Sequence, residues 1–245
     1  MSLDEIRIAM SGRTLVVNAD DFGQSAGVNR GIIDAHEHGI VTGASLMVLW
    51  SASTAAATYA RAHSSLSVGL HVDLGEWMWC SGTWRCRYRR VDVDHYHDVE
   101  REVRAQLERC RDLLGRDPTH LDSHQHVHRR EPVRSILTDV AHELGVPLRQ
   151  VTPGIRYCGD FYGQTATGAE LPGSLTVDAL VRSLVNLEPG VTELACHPGY
   201  AEDLDTFYQK ERSVEVRTLC ADAVRTVLAD EDIQLTSFGS LAAVA

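Results

Sequence analysis

Asp20 and Asp21 are adjacent carboxylates that close a short apolar run, Leu15-Val16-Val17-Asn18-Ala19, two residues before Gly23, where the chain can turn sharply. Neighbouring carboxylates repel, so keeping both ionised at the edge of a core needs a cation, a set of donors or a shared proton. An isolated Asp-Asp pair also suits a helix N-cap, a role that Ser25 fills equally well. Three later stretches supply partners that capping does not require. They are His71 and Asp73 in Gly69-Leu70-His71-Val72-Asp73, then Asp122, His124, His126 and His128 in His120-Leu121-Asp122-Ser123-His124-Gln125-His126-Val127-His128, and finally His197 in His197-Pro198-Gly199-Tyr200.

One carboxylate and two imidazoles make a facial ligand set for a divalent ion, with positions left for water and a substrate oxygen. A second carboxylate nearby can take a proton from water, and a separate histidine can give one to a leaving group. As an extended strand, 118–128 would place Asp122, His124, His126 and His128 on one side. As a helix it would stack His124 on His128. Spacing alone leaves both of these histidines open as ligands.

The elements that must bring these residues together alternate along the chain. Apolar runs predict strands at 14–18, 40–48, 67–73, 146–151, 191–196 and 234–238, with 118–128 reading as strand into loop. Helical spacing predicts helices over 25–38, 51–63, 97–114, 132–144, 177–187 and 207–228. About seven strands alternating with helices imply an α/β fold with parallel strands, and in such folds the chemistry sits at the carboxyl ends of the strands. Two stretches break the pattern. Residues 75–94 crowd Trp77, Trp79, Trp84, Tyr88 and four arginines into a loop that suits a lid or a subunit interface. Residues 153–174 carry Arg156, Tyr157, Phe161 and Tyr162 in a Gly-rich context that suits substrate contact.

Composition narrows the partners. A 245-residue chain with 44% hydrophobic residues and no linker can bury one large core, so a single domain over 1–245 is expected. A formal net charge of -11 disfavours nucleic acid or an anionic membrane as partner and favours a neutral or cationic substrate. Residues 1–10 have neither a basic start nor an apolar run, and no segment reaches membrane-spanning length, so a cytoplasmic protein is expected. Six scattered cysteines without a C-x-x-C pair read as thiols, mostly buried. The aromatic loop is compatible with a homodimer.

The runs Asn18-Ala19-Asp20-Asp21-Phe22-Gly23, Gly27-Val28-Asn29-Arg30-Gly31-Ile32-Ile33, Gly69-Leu70-His71, Thr119 to His128, and His197-Pro198-Gly199-Tyr200 closely resemble the YdjC-like (ChbG/HpnK) carbohydrate deacetylases, in matching order over nearly the whole chain. The resemblance implies a distorted (β/α) barrel and metal-dependent removal of an acetyl group from an N-acetylated mono- or oligosaccharide. It implies one divalent ion, magnesium or zinc with manganese or cobalt also suited, held by Asp21, His71 and His124. It casts Asp20 as general base and His197 as general acid. Asp122, His126 and His128 then fall to supporting or substrate-contacting roles, with Arg156, Tyr162 and Trp77 as further candidates for binding substrate. Two other readings fit the residues: a metal-dependent phosphoester hydrolase, suggested by the arginine-rich loop, and a carbohydrate-binding protein without turnover.

Overall fold

The computed structural model describes residues 12–242; the segment 1–10, read above for targeting signals, lies outside them. The apolar run around Val16 forms β1 (Arg13–Phe22), in which every residue from Leu15 onward is buried. Burial on both faces is what its near-continuous apolar sequence demands of a central parallel strand. The chain continues through α1 (Ala26–Glu37), β2 (Gly43–Leu46), α2 (Ser53–Ala62) and β3 (Ser67–Val72). An antiparallel hairpin follows, β4 (Gly75–Cys80) and β5 (Thr83–Arg89), then α3 (Tyr96–Leu114), β6 (Leu121–Ser123) and a short 3-10 segment, His124–Arg129. The remainder is α4 (Val133–Leu144), β7 (Ile155–Cys158), α5 (Val177–Val185), β8 (Gly190–Cys196), α6 (Lys210–Leu219), α7 (Asp222–Asp230), β9 (Ile233–Leu235) and α8 (Phe238–Ala242).

Seven strands make one parallel sheet in the order β6-β3-β2-β1-β8-β7, with β9 paired to the start of β1. The sheet curls into a half-barrel surrounded by helices in a single α/β domain, as expected. Its carboxyl ends bring Asp20, Asp21, His71, Asp122 and His197 to one side. Gly31 explains part of this closeness: a Cβ there would stand 2.4 Å from the Gly199 Cα, so α1 lies directly against the segment after His197.

Several expected elements are redrawn. Within 75–94, residues 75–89 form an antiparallel hairpin rather than an irregular loop, and only 90–94 stay irregular. The hairpin turn places Ser81 (φ 50°) and Gly82 (φ 85°) in the left-handed region that a tight two-residue hairpin turn requires. No strand forms at 146–151, where only Leu148 bridges to Leu121. Pro147 has no N–H to give a ladder, and Gln150 adopts φ 58°. The strand instead appears at β7, inside the stretch read as irregular.

The long helix expected over 207–228 is two helices, α6 and α7, which part at Cys220 and Ala221, where Ala221 takes the extended values φ -69° and ψ 132°. The last strand is shorter than 234–238 and yields to α8. All six cysteines are free thiols, but only Cys110 and Cys196 are buried and Cys86 is exposed, so the expectation of mostly buried thiols fails. Four of the six sit on helix flanks or in the hairpin rather than inside the sheet.

Candidate active site

The two carboxylates diverge because the strand that carries them is irregular. The β1–β2 register shifts between Ala19 and Phe22, and Asp21 adopts φ 68°. In a regular strand successive side chains point to opposite faces; here the irregularity turns both into the barrel mouth. Neither caps α1, since the Ser25 hydroxyl accepts from the Val28 N–H at 3.1 Å.

Asp21 is one half of a donor cluster. Its Oδ1 lies 3.4 Å from His71 Nε2 and 3.2 Å from His124 Nδ1 and has no hydrogen-bond partner, while Arg212 donates to Oδ2 at 2.6 Å. Burial is the largest single influence and would raise its pKa, but the Arg212 guanidinium and the facing His124 and His71 imidazoles together hold the carboxyl well below the usual range. His71 Nδ1 donates to Asp122 Oδ1 at 2.7 Å, which turns its Nε2 towards Asp21. The two imidazoles and the Asp21 carboxylate are within 4.8 Å of one another, a spacing able to hold a metal ion. The kink that delivers His124 is sharp: Gln125 and His126 both have φ 52°.

Asp20 belongs to a second cluster. Arg149 clamps it bidentately at 2.6 and 2.7 Å, Asn18 donates to it at 3.0 Å, and His197 Nε2 stands 3.8 Å from its Oδ2. The same guanidinium reaches Asp122 and Glu193, each at 2.8 Å. Burial opposes ionisation of Asp20, yet Arg149 prevails and its pKa lies below the ordinary value. Burial pushes His197 down to about 4 despite the facing carboxylates, so its imidazole is neutral at pH 7. Its Nδ1 is unpartnered, and its backbone N–H donates to Glu215.

Asp20, Asp21, His71, His124 and His197 form the floor of a cavity of about 510 Å³ walled by Trp77, Trp79, Trp84, Tyr162, Phe207 and Tyr208. Of the residues predicted from sequence, Asp20, Asp21, His71, His124, His126, His197, Trp77 and Tyr162 line it. Three others do not. Asp122 is fully buried beneath His71, where it orients that ring. The strand expected at the start of 118–128 is present as β6, but the kinked 3-10 segment after it breaks both the alternation and the helical stacking of the histidines, and His128 is fully buried and bonds to Ser123 Oγ at 2.7 Å. Arg156 donates to the Glu188 and Pro189 carbonyls, at the amino end of β8 and away from the cavity.

The sequence reading missed Arg149 and Arg212, the two buried cations that keep the aspartates ionised. Arg149 carried a usable signal, a lone guanidinium in the run Val146-Pro147-Leu148-Arg149, where burial requires carboxylate partners. Arg212 carried none, because Lys210-Glu211-Arg212 looks like any solvated helix face. Gln125 was also missed; it ties the His124 kink to the hairpin by accepting from the Trp77 N–H at 2.9 Å and donating to the Trp77 carbonyl at 2.7 Å.

The chain is 33% identical to the carbohydrate deacetylase of Brevibacillus brevis, covering 93% of this chain and 99% of the relative. It is 31% identical to the chitooligosaccharide deacetylase of Serratia marcescens, covering 94% and 99%. A solved structure from Enterococcus faecalis, described as a candidate for cellobiose-phosphate cleavage, superposes with TM-score 0.77 at 24% identity over 94% of this chain and 99% of that one. A family 4 carbohydrate esterase from Streptomyces lividans shares the fold more distantly, with TM-score 0.54 at 12% identity over 92% of each chain. The YdjC-like protein model matches residues 14–230, and the chain belongs to the YdjC-like family.

Proposed function

We propose that this protein is a metal-dependent carbohydrate deacetylase that hydrolyses the acetamide of an N-acetylated sugar. The observation that carries this reading is the meeting of two sets of groups at one cavity floor. The Asp21, His71 and His124 donors lie beside the Asp20 and His197 pair, under aromatic walls suited to the apolar faces of sugar rings. The names of the relatives from Brevibacillus brevis and Serratia marcescens support the same chemistry.

The donor set fits a divalent ion: the orphaned, buried Asp21 Oδ1 faces two imidazole nitrogens, and mixed nitrogen and oxygen ligands suit zinc while tolerating magnesium or manganese. When bound there, such an ion would acidify water and polarise the amide carbonyl.

The protein's own residues supply the rest. Asp20, held ionised by Arg149, is the base that accepts the proton of the attacking water. His197 protonates the departing amine. It is neutral at rest, so the proton it delivers reaches it during the reaction, and Asp20 Oδ2 at 3.8 Å from Nε2 is the nearest source. Asp122 fixes the His71 tautomer, and Arg212 keeps Asp21 ionised.

The test is acetate release from N-acetylglucosamine oligomers by metal-stripped protein, with zinc, magnesium, manganese and cobalt returned in turn. Release restored by one or more metals is expected. Asp20→Asn should bind the same metal stoichiometrically and lose turnover by roughly 100-fold or more. Full activity of that variant would remove Asp20 as the base, and no release under any metal would overturn the reading.

A further inference from the structure

Glu215 is a fully buried carboxyl that the proposed chemistry does not use. It sits on α6 one turn beyond Arg212, and the two side chains hold the His197 main chain from both ends. Glu215 Oε2 accepts from the His197 N–H, and Arg212 Nη1 donates to the His197 carbonyl at 3.3 Å. The Gly199 N–H donates to the Arg212 carbonyl at 3.2 Å, and Pro198 between them has no N–H to place. The segment leaving β8 is thus stitched to α6 on either side of the candidate acid.

The imidazole itself has no comparable hold. Among the described residues, its Nδ1 has no hydrogen-bond partner, and its Nε2 stands 3.8 Å from Asp20 Oδ2. Contact with two rings confines it instead: the centroids of Tyr162 and Tyr208 lie 5.2 and 5.6 Å from its own, and those two rings stack on each other at 4.5 Å. Glu215 reaches this cage as well. Its Oε1 accepts from the Tyr208 hydroxyl, which in turn accepts from the Gly163 N–H at 2.8 Å. One buried carboxyl therefore fixes both the backbone that carries the imidazole and one of the rings that bracket it. These contacts ask for an acceptor rather than a charge. Burial pushes Glu215 up to about 8, and Oε2 accepts from the His197 N–H whether the group is ionised or not.

We propose that Glu215 is a positioning residue for the general acid, a hydrogen-bond acceptor that sets where the His197 imidazole meets the departing amine. This inference rests on the deacetylase reading, which gives His197 its task.

The test separates the acceptor from the charge. Glu215→Met removes the acceptor at similar volume, whereas Glu215→Gln keeps an acceptor and removes the charge. With the metal that restores acetate release from an N-acetylglucosamine oligomer, Glu215→Met should lower kcat by about tenfold and leave KM within about twofold, since an error near 1 Å in a reacting group can cost about 100-fold. Glu215→Gln should keep kcat within about threefold of wild type, because one hydrogen-bond acceptor replaces another. In a His197→Ala background, Glu215→Met should cost less than about twofold, because a residue that acts through another has little left to lose once that other is gone. Wild-type kcat in a folded Glu215→Met overturns the inference. So does a loss confined to KM, a loss in Glu215→Gln as large as that in Glu215→Met, or an equal loss with His197 already absent. Should Glu215→Met not fold, Tyr208→Phe decides, since it removes only the hydroxyl that Oε1 engages. It should lower kcat several-fold while His197 is present and not when His197 is absent; an unchanged kcat, or the same loss in both backgrounds, overturns the inference. Absence of acetate release by the wild type under any metal is failure of the deacetylase reading and takes the inference with it, whereas release by the wild type with additive losses overturns the inference alone.

Discussion

The side-chain amide of Gln125 pairs with the main chain of Trp77 in both directions, accepting at 2.9 Å and donating at 2.7 Å, as one strand would pair with another. Gln125 directly follows the candidate ligand His124, and Trp77 directly follows Glu76 on the hairpin. The kink that carries the candidate ligand His124 and the cavity wall are thus registered to each other by a single side chain. Both Gln125 and His126 have φ 52°, a conformation costing of order 1–3 kcal/mol per residue that persists only where surrounding contacts enforce it.

Removing those contacts should loosen the wall. Gln125→Ala is expected to raise KM several-fold more than it lowers kcat and to cost about 1–2 kcal/mol of stability through two lost hydrogen bonds. Steady-state kinetics and urea unfolding check this; equal losses in kcat and kcat/KM with unchanged KM would show that Gln125 acts on the chemistry instead.

Arg149 and Glu193 share one buried ion pair but should not respond alike. Arg149→Met leaves Asp20 and Asp122 uncompensated in the core and should destabilise by about 3–5 kcal/mol. Burial already pushes Glu193 up to about 7, so Glu193→Gln changes a group that is often protonated near neutrality and should cost far less. Thermal melts of the two variants at pH 7 make the comparison.

His120 offers a pH test with a definite sign. It is buried, its Nε2 donates to Ser45 Oγ at 3.0 Å, and its ring stacks on Phe238 with centroids 4.1 Å apart. Burial pushes its pKa down to about 4 from 6.5. Between those values the unfolded chain binds a proton that the folded chain refuses. The stability His120 contributes is therefore fully present above pH 6.5 and is lost as pH falls toward 4. The cost of His120→Gln should shrink over that window by up to about 3 kcal/mol, at about 1.4 kcal/mol per pKa unit. Denaturant unfolding of both proteins at pH 7.5 and 4.5 measures it; a cost that stays constant or grows would mean that folded His120 is charged.

Gly31→Ala should act at a distance. The new Cβ would fall 2.4 Å from the Gly199 Cα, so either α1 or the His197-Pro198-Gly199 segment must move. Overpacking of this kind costs about 1–3 kcal/mol. A displaced His197 should also lower kcat at least tenfold, since an error near 1 Å in a reacting group can cost about 100-fold. Acetate-release kinetics beside a melting curve test both; a destabilised variant with wild-type kcat would show that α1 alone moves.

Much of the molecule was legible before folding. Apolar runs ending in Asp20, His71 and His197 marked parallel strands and the end of the barrel where chemistry collects, because a doubly covered strand must be apolar until it reaches the mouth. Gly115 and Gly145 marked the ends of α3 and α4, where both take left-handed φ. It was the resemblance to the YdjC-like family that grouped Asp21 with His71 and His124. What spacing could not separate were Asp122, His124, His126 and His128, since one kink at Gln125 and His126 sends His124 to the cluster, His126 to the cavity and His128 into the core. Arg149 and Arg212 acquired meaning only when folding carried them next to Asp20 and Asp21, 129 and 191 residues away in the chain. The residue types needed for the chemistry are local properties of the sequence, whereas the charges that keep them ionised and the walls that select a ligand are long-range contacts, which only the tertiary structure decides.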